Sequence, residues 1–91
     1  MKTLEDCFNE LEKYKGEFTI FGNWIRHKTM LTFDGDHCCP LNVLCNGLYE
    51  NNFIQHLTQM LDMESKDVYT IVAAADDPNS KFRKKLEDTV L

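Results

Sequence analysis

The chain has 91 residues, 43% of them hydrophobic and 11% aromatic, and its fifteen acidic side chains outweigh ten basic ones for a formal net charge of −5. That length fits one domain, residues 1–91, whose single core buries roughly two thirds of the surface the unfolded chain exposes. The acidic balance argues against a general nucleic-acid binder, which needs excess Lys and Arg to displace counterions from phosphates. No window approaches the ~18 consecutive apolar residues of a membrane span, and the charged start Lys2-Thr3-Leu4-Glu5-Asp6 lacks the apolar run of about 7 to 15 residues of a signal peptide. The expectation is a cytoplasmic protein whose four cysteines are reduced thiols.

The first helix is expected over Leu4 to Tyr14. Thr3 serves as N-cap, Glu5 and Asp6 complement the positive end of the helix dipole, and Gly16 supplies the stop. Leu4, Cys7, Phe8, Leu11 and Tyr14 recur at spacings of three and four and share the inward face, which places Cys7 in the core.

Residues 17 to 33 are rich in aromatic and β-branched side chains and carry no sustained helical period. Two short strands fit, Phe18 to Phe21 and Thr29 to Phe33, the second ending at the Asp34-Gly35 turn signal. A competing reading makes Asn23 to Lys28 a helical turn. Trp24 is a core anchor or a lid over the helices on one view, and a ligand platform on the other.

Beyond Asp36 the pattern is regular. Cys39 precedes a proline and suits the N-cap, and Pro40 suits the first helical position. Leu41, Leu44, Cys45 and Leu48 then form an apolar stripe. Gly47 and Asn51-Asn52 mark a break before a helix from about Asn52 to Leu61, with Phe53, Ile54, Leu57, Met60 and Leu61 inward. Ser65 is the expected cap of a fourth helix carrying Val68, Ile71, Val72 and Ala75 on one face. After the Asp76-Asp77-Pro78-Asn79 turn, Asn79 or Ser80 caps a last helix with Phe82, Leu86, Thr89 and Val90 inward.

Three constellations carry chemical potential. His37-Cys38-Cys39 stands at a helix start, where the dipole can lower a thiol pKa, so Cys39, and after it Cys38, is the candidate nucleophile with His27, His37 and His56 as available bases. Cys and His also ligate zinc. No Cys-x-x-Cys is present, and the set that remains for a metal is Cys7, His37, Cys38 and His56. Finally, the last two helices, with Lys81, Arg83, Lys84 and Lys85 on the second, resemble a helix-turn-helix, although the Asp76-Asp77 turn would face the phosphates. The bland alternative is that the thiols pack as small apolar groups and the charges solvate helix surfaces.

At Cys39-Pro40-Leu41-Asn42-Val43-Leu44-Cys45 the chain resembles a loose group of small, uncharacterised phage and bacterial proteins. These carry a Trp-containing segment, a turn, and a Cys-Cys-Leu-Gly-Val-Leu-Cys or Cys-Pro-Leu-Gly-Ala-Leu helix start. Trp24, Asp34-Gly35, Ser65 to Val68, Ala74 to Asp77 and Phe82 to Leu86 match in order, from roughly Trp24 to Val90. Asn42 stands where the pattern has glycine. The resemblance implies a helical fold and a phage origin, and it transfers no catalytic residue.

The expected architecture is mainly α, with about five short helices in one compact domain and a short β-hairpin between the first two. The leading function is a non-enzymatic protein-binding module, needing no cofactor, that binds and inhibits a host protein such as a defence nuclease in the host cytoplasm. Acidic side chains would occupy a site built for phosphates. Glu10, Asp34, Asp36, Asp76, Asp77, Trp24, Lys84 and Lys85 are the surface candidates, and a homodimer is an option. The alternatives are a zinc- or thiol-dependent protein using His37, Cys38 and Cys39, and a helix-turn-helix DNA binder.

Overall fold

Thr3 opens the first helix through a capping box: its Oγ1 accepts from the Asp6 N–H at 3.1 Å while the Asp6 carboxylate accepts from the Thr3 N–H at 3.2 Å. From this start the chain, in a computed structural model describing residues 3–48 and 50–91 and only the backbone of Glu50 and Asn51, forms five helices and one hairpin. In order these are α1 Leu4–Leu11, a 3₁₀ turn Glu12–Tyr14, β1 Phe18–Phe21, β2 Trp24–His27, α2 Pro40–Leu44, α3 Glu50–Leu61, α4 Ser65–Ala75 and α5 Lys81–Val90. Mainly helical architecture and a hairpin between the first two helices both agree with the sequence expectation. Among the described residues no helix is long and apolar enough to cross a membrane.

The hairpin differs from expectation in its second strand. β1 pairs antiparallel with Trp24–His27 in the register Phe18↔His27, Thr19↔Arg26, Ile20↔Ile25 and Phe21↔Trp24, not with Thr29 to Phe33, and Asn23 to Lys28 makes no helical turn. Gly22-Asn23 is the reason. Gly22 has φ +61 and Asn23 does not share the positive φ, the pattern of a two-residue turn with glycine in its first central position, whose twist matches that of paired strands. The period of two then sorts the side chains. Phe18, Ile25 and His27 are buried, while Phe21, Trp24 and Arg26 face outward.

Residues 29 to 37 form a loop closed on itself. Leu31 and His37 make an isolated bridge, the Thr32 N–H donates to the Asp36 carbonyl, and the Gly35 N–H donates to the Thr32 carbonyl. The loop is held to the hairpin by the His27 and Cys38 N–H groups, which donate to the Cys38 and Met30 carbonyls respectively. Gly47 receives it from the other side, accepting the Phe33 N–H at 3.1 Å. With φ +80, Gly47 sits where a Cβ would come 3.0 Å from the Leu31 carbonyl, so only glycine fits this crossing without strain.

Cys39 and Pro40 start α2 as expected, but the helix ends at Leu44 because Asn46 (φ 57) and Gly47 are left-handed. Asn51 and Asn52 therefore lie inside α3 rather than in the break before it. Ser65 is the first residue of α4, and Glu64 occupies its N-cap without a side-chain hydrogen bond. Ser80 caps α5, its Oγ accepting from the Arg83 N–H at 3.2 Å.

The helices meet in a shared core. α1 packs on α2 and α5, α4 on α3 and α5, and β2 on α2, with Leu11, Ile25, Leu41, Leu57, Val68, Leu86 and Val90 almost wholly enclosed. Each such side chain contributes roughly 1.5 to 3 kcal/mol on leaving water. The inward face of α5 holds one residue the periodicity misplaced: Arg83, assigned to a basic surface cluster, is only 2% exposed. Thr89, expected inward, is half-buried and turns its hydroxyl back to the Lys85 carbonyl at 2.7 Å.

Candidate functional site

The outward face of the hairpin, the 32–37 loop, the start of α2 and the end of α4 enclose a cleft of about 560 Å³. Its walls follow from the register. Phe21 and Trp24 are cross-strand partners and stand together at the hairpin tip, with Arg26 two residues along on the same face. The turn after Thr32 brings Asp34, Asp36 and His37 opposite them, and Cys39, Leu41, Phe53, Val72 and Ala75 supply the remaining lining with Asp76 beside them.

Side-chain geometry ties the walls together. The His37 ring stacks on Phe21 with centroids 5.6 Å apart and planes at 24°. The Arg26 guanidinium lies 5.4 Å over the Trp24 ring and 3.7 Å from Asp76 Oδ1, and its Nη1 also donates to the Ile25 carbonyl at 3.1 Å. Asp34 and Asp36 make no ion pair among the described residues. Three carboxylates thus face one resident guanidinium, and the cleft is electronegative.

Four of the surface candidates read from sequence, Trp24, Asp34, Asp36 and Asp76, come together here, joined by His37 and Cys39 of the thiol constellation. The other surface candidates are elsewhere. Glu10 on α1 pairs with Lys13 of the following 3₁₀ turn at 3.0 Å, and Asp77 accepts the Asn79 N–H at 3.0 Å in the turn before α5. Lys84 and Lys85 are exposed on α5, with the Lys85 ammonium 4.4 Å from the Phe8 ring centroid. With Arg83 turned inward, the basic cluster of the helix-turn-helix reading keeps only its lysines. Phe21 and Arg26 were missed as site residues. The signal for both was the strand alternation on either side of Gly22-Asn23.

The metal set is not assembled. Cys7 and Cys38 are buried in the core, His56 is exposed on α3, and His37 is exposed against Phe21. Among the described residues no three His, Cys, Asp or Glu side chains converge on a point that could hold an ion. None of Cys7, Cys38, Cys39 and Cys45 forms a disulfide.

Cys39 at the cleft edge is engaged in its helix cap. Its Sγ donates to Asn42 Oδ1 at 3.0 Å and accepts from the Asn42 N–H at 3.4 Å, while Asn42 Nδ2 donates to the Leu48 carbonyl. Burial pushes its thiol up to about 11, against the opposing pull of the Asn42 N–H and Arg26. The helix N-terminus therefore does not activate this thiol, which stays protonated at neutral pH. Burial also raises Cys7 and Cys38, and raises Cys45 to about 12.

Comparison with protein families, curated proteins and solved structures found no match to this chain.

Asp76 carries a titration signature of that cleft. Burial raises its carboxyl above the ordinary value of 3.8, and Arg26 and Arg83 offset this only in part. Between 3.8 and the raised value the folded protein retains a proton that the unfolded chain has released, so stability from this group falls as pH rises through that window. Asp76→Asn is expected to remove that slope. The melting temperature of wild type minus that of the variant should decline with increasing pH across the window, as followed by circular dichroism.

Proposed function

We propose that this chain is a non-enzymatic protein-binding module that docks through the hairpin face and its cleft onto a nucleic-acid-handling protein of a host cell, inhibiting it by placing carboxylates where phosphates would lie. The supporting observation is the exposure of Trp24 and Phe21, which line the cleft with Asp34 and Asp36, and of Phe33, next to Asp34 in the adjoining loop; neither of these acids makes an ion pair among the described residues. Phe33, Trp24 and Phe21 are 68%, 50% and 47% exposed. Aromatic anchors inside a charged rim are the composition of a docking surface, since the rings supply desolvation and the charges supply register.

The partner surface that fits is basic, because Asp34, Asp36 and Asp76 outnumber Arg26 in the cleft. Such a complex associates quickly at low salt and weakens as salt rises. The test is capture of partner from a bacterial lysate by immobilised chain, followed by elution with duplex DNA. Wild type is expected to retain a nucleic-acid-binding protein that DNA displaces, and the Phe21→Ala/Trp24→Ala variant to lose at least about tenfold of that binding, as hot-spot aromatics do, with its fold unchanged by circular dichroism. A retained partner that neither DNA nor salt releases would overturn the mimicry. Equal capture by the double variant would overturn the docking face.

A further inference from the structure

The chemistry of the cleft names what enters it. We infer that the cleft is a receptor for an arginine side chain of the partner, the guanidinium seated between Asp34 and Asp36 and its plane laid on the exposed aromatic wall of Phe21. This rests on the docking reading above and specifies its central contact.

The molecule already contains one instance of the arrangement. Arg26 lies over Trp24 and beside Asp76, so within this cleft a planar cation is held by a ring face and a carboxylate at once. The opposite half repeats the parts without the cation: Phe21 backed by the stacked His37 ring, and Asp34 and Asp36 two residues apart around Gly35, whose φ of +87 makes the tight turn. Both carboxylates line the cleft and neither has an ion pair among the described residues.

The same geometry selects among cations and against anions. A metal ion needs several ligand atoms converging on a point, and no such group exists among the described residues. A lysine ammonium is a compact, strongly hydrated point charge that can meet a ring but cannot lie flat on it or fork between two carboxylates, whereas a guanidinium is weakly hydrated, planar and able to bridge them. Phosphates and acidic peptides would be repelled by the three carboxylates.

Trp24 is the chain's only tryptophan, so occupancy can be read directly. The probe is N-acetyl-arginine amide, compared with N-acetyl-citrulline amide, which keeps the shape and loses the charge. Titration followed by Trp24 fluorescence and by amide shifts of residues 32–37 is expected to show arginine binding in about the millimolar range, appropriate to one ion-paired, stacked side chain. Citrulline should bind at least tenfold more weakly, and Asp34→Asn/Asp36→Asn should lose at least tenfold in arginine affinity with an unchanged melting temperature. Equal response to the two probes, or full arginine affinity in the double variant, overturns the inference. The two levels fail separately. Arginine binding with no partner capture leaves the receptor standing and the docking reading fallen, and Trp24-dependent capture without arginine binding does the reverse.

Discussion

Arg83→Met is expected to cost about 3 to 4 kcal/mol of stability, which for a chain of this length lowers the melting temperature by roughly 15 to 20 °C. Methionine keeps the aliphatic stem packed in the core and removes the guanidinium alone. That guanidinium joins three elements. Its Nη1 donates to the Asn23 carbonyl in the hairpin turn and, at 3.3 Å, to the Ala75 carbonyl at the end of α4. Its Nε lies 3.3 Å from Glu87 Oε1, close enough to pair in charge although not aligned for a hydrogen bond. A cation at the negative end of α4 is favourable, and the Ala75 carbonyl is one of the groups a helix leaves unsatisfied at that end. Without it the turn at Gly22-Asn23 loses its tie to the helices. Amide exchange of residues 22 to 24 should accelerate in the variant by more than that of residues 53 to 61 in α3, and calorimetry gives the stability loss. A melting temperature within about 3 °C of wild type would show that the guanidinium adds little beyond packing.

His27→Ala is the second large effect, expected at about 3 kcal/mol. His27 is 4% exposed, and its Nδ1 accepts from the Met30 N–H at 2.8 Å and the Thr29 N–H at 3.1 Å. Two donors aimed at Nδ1 leave the ring proton on Nε2, which donates to Glu17 Oε1 at 3.1 Å. Alanine would leave two backbone N–H groups without their acceptor, at about 1 to 3 kcal/mol for each that stays buried, and would open a void beside Phe18, whose ring meets the imidazole edge-on at 5.2 Å. His27→Asn places Oδ1 near the position of Nδ1 and should recover about half of the loss. Because these bonds set the path of the loop toward Asp34 and Asp36, the alanine variant should also weaken the arginine probe, while asparagine restores it together with the melting temperature. Denaturant unfolding and the same fluorescence titration give both quantities. Equal stability of the alanine and asparagine variants would remove the acceptor role.

Most of the helical frame was legible because it depends on local chemistry. Thr3, Cys39-Pro40 and Ser80 are short-range signals, and each starts a helix in the structure. The inward positions Leu11, Leu57, Val68, Leu86 and Val90 follow from a 3.6-residue period and are buried. The second strand was misplaced because Thr29 to Phe33 has β propensity as high as Trp24 to His27, and propensity does not say which segment the turn brings alongside β1. Of the candidate site, the acids and Trp24 were visible as residue types. Their union with Phe21 and Arg26 was not, since it depends on the outward half of a register fixed by a two-residue turn.

The sequence by itself determined the helical class, the acidic character, the caps of α1, α2 and α5 and the apolar faces, all of which rest on interactions between residues at most a few positions apart. The tertiary structure decided where charge ended up. Arg83 turned from surface lysine-like cluster to buried tie because carbonyls from residues 23 and 75 converge on it. Cys39 became an inert cap because burial outweighs the helix dipole. Asp34, Asp36 and Asp76 became one cleft because the loop after β2 folds back over the hairpin toward the end of α4, a contact between segments some forty residues apart that no local pattern encodes.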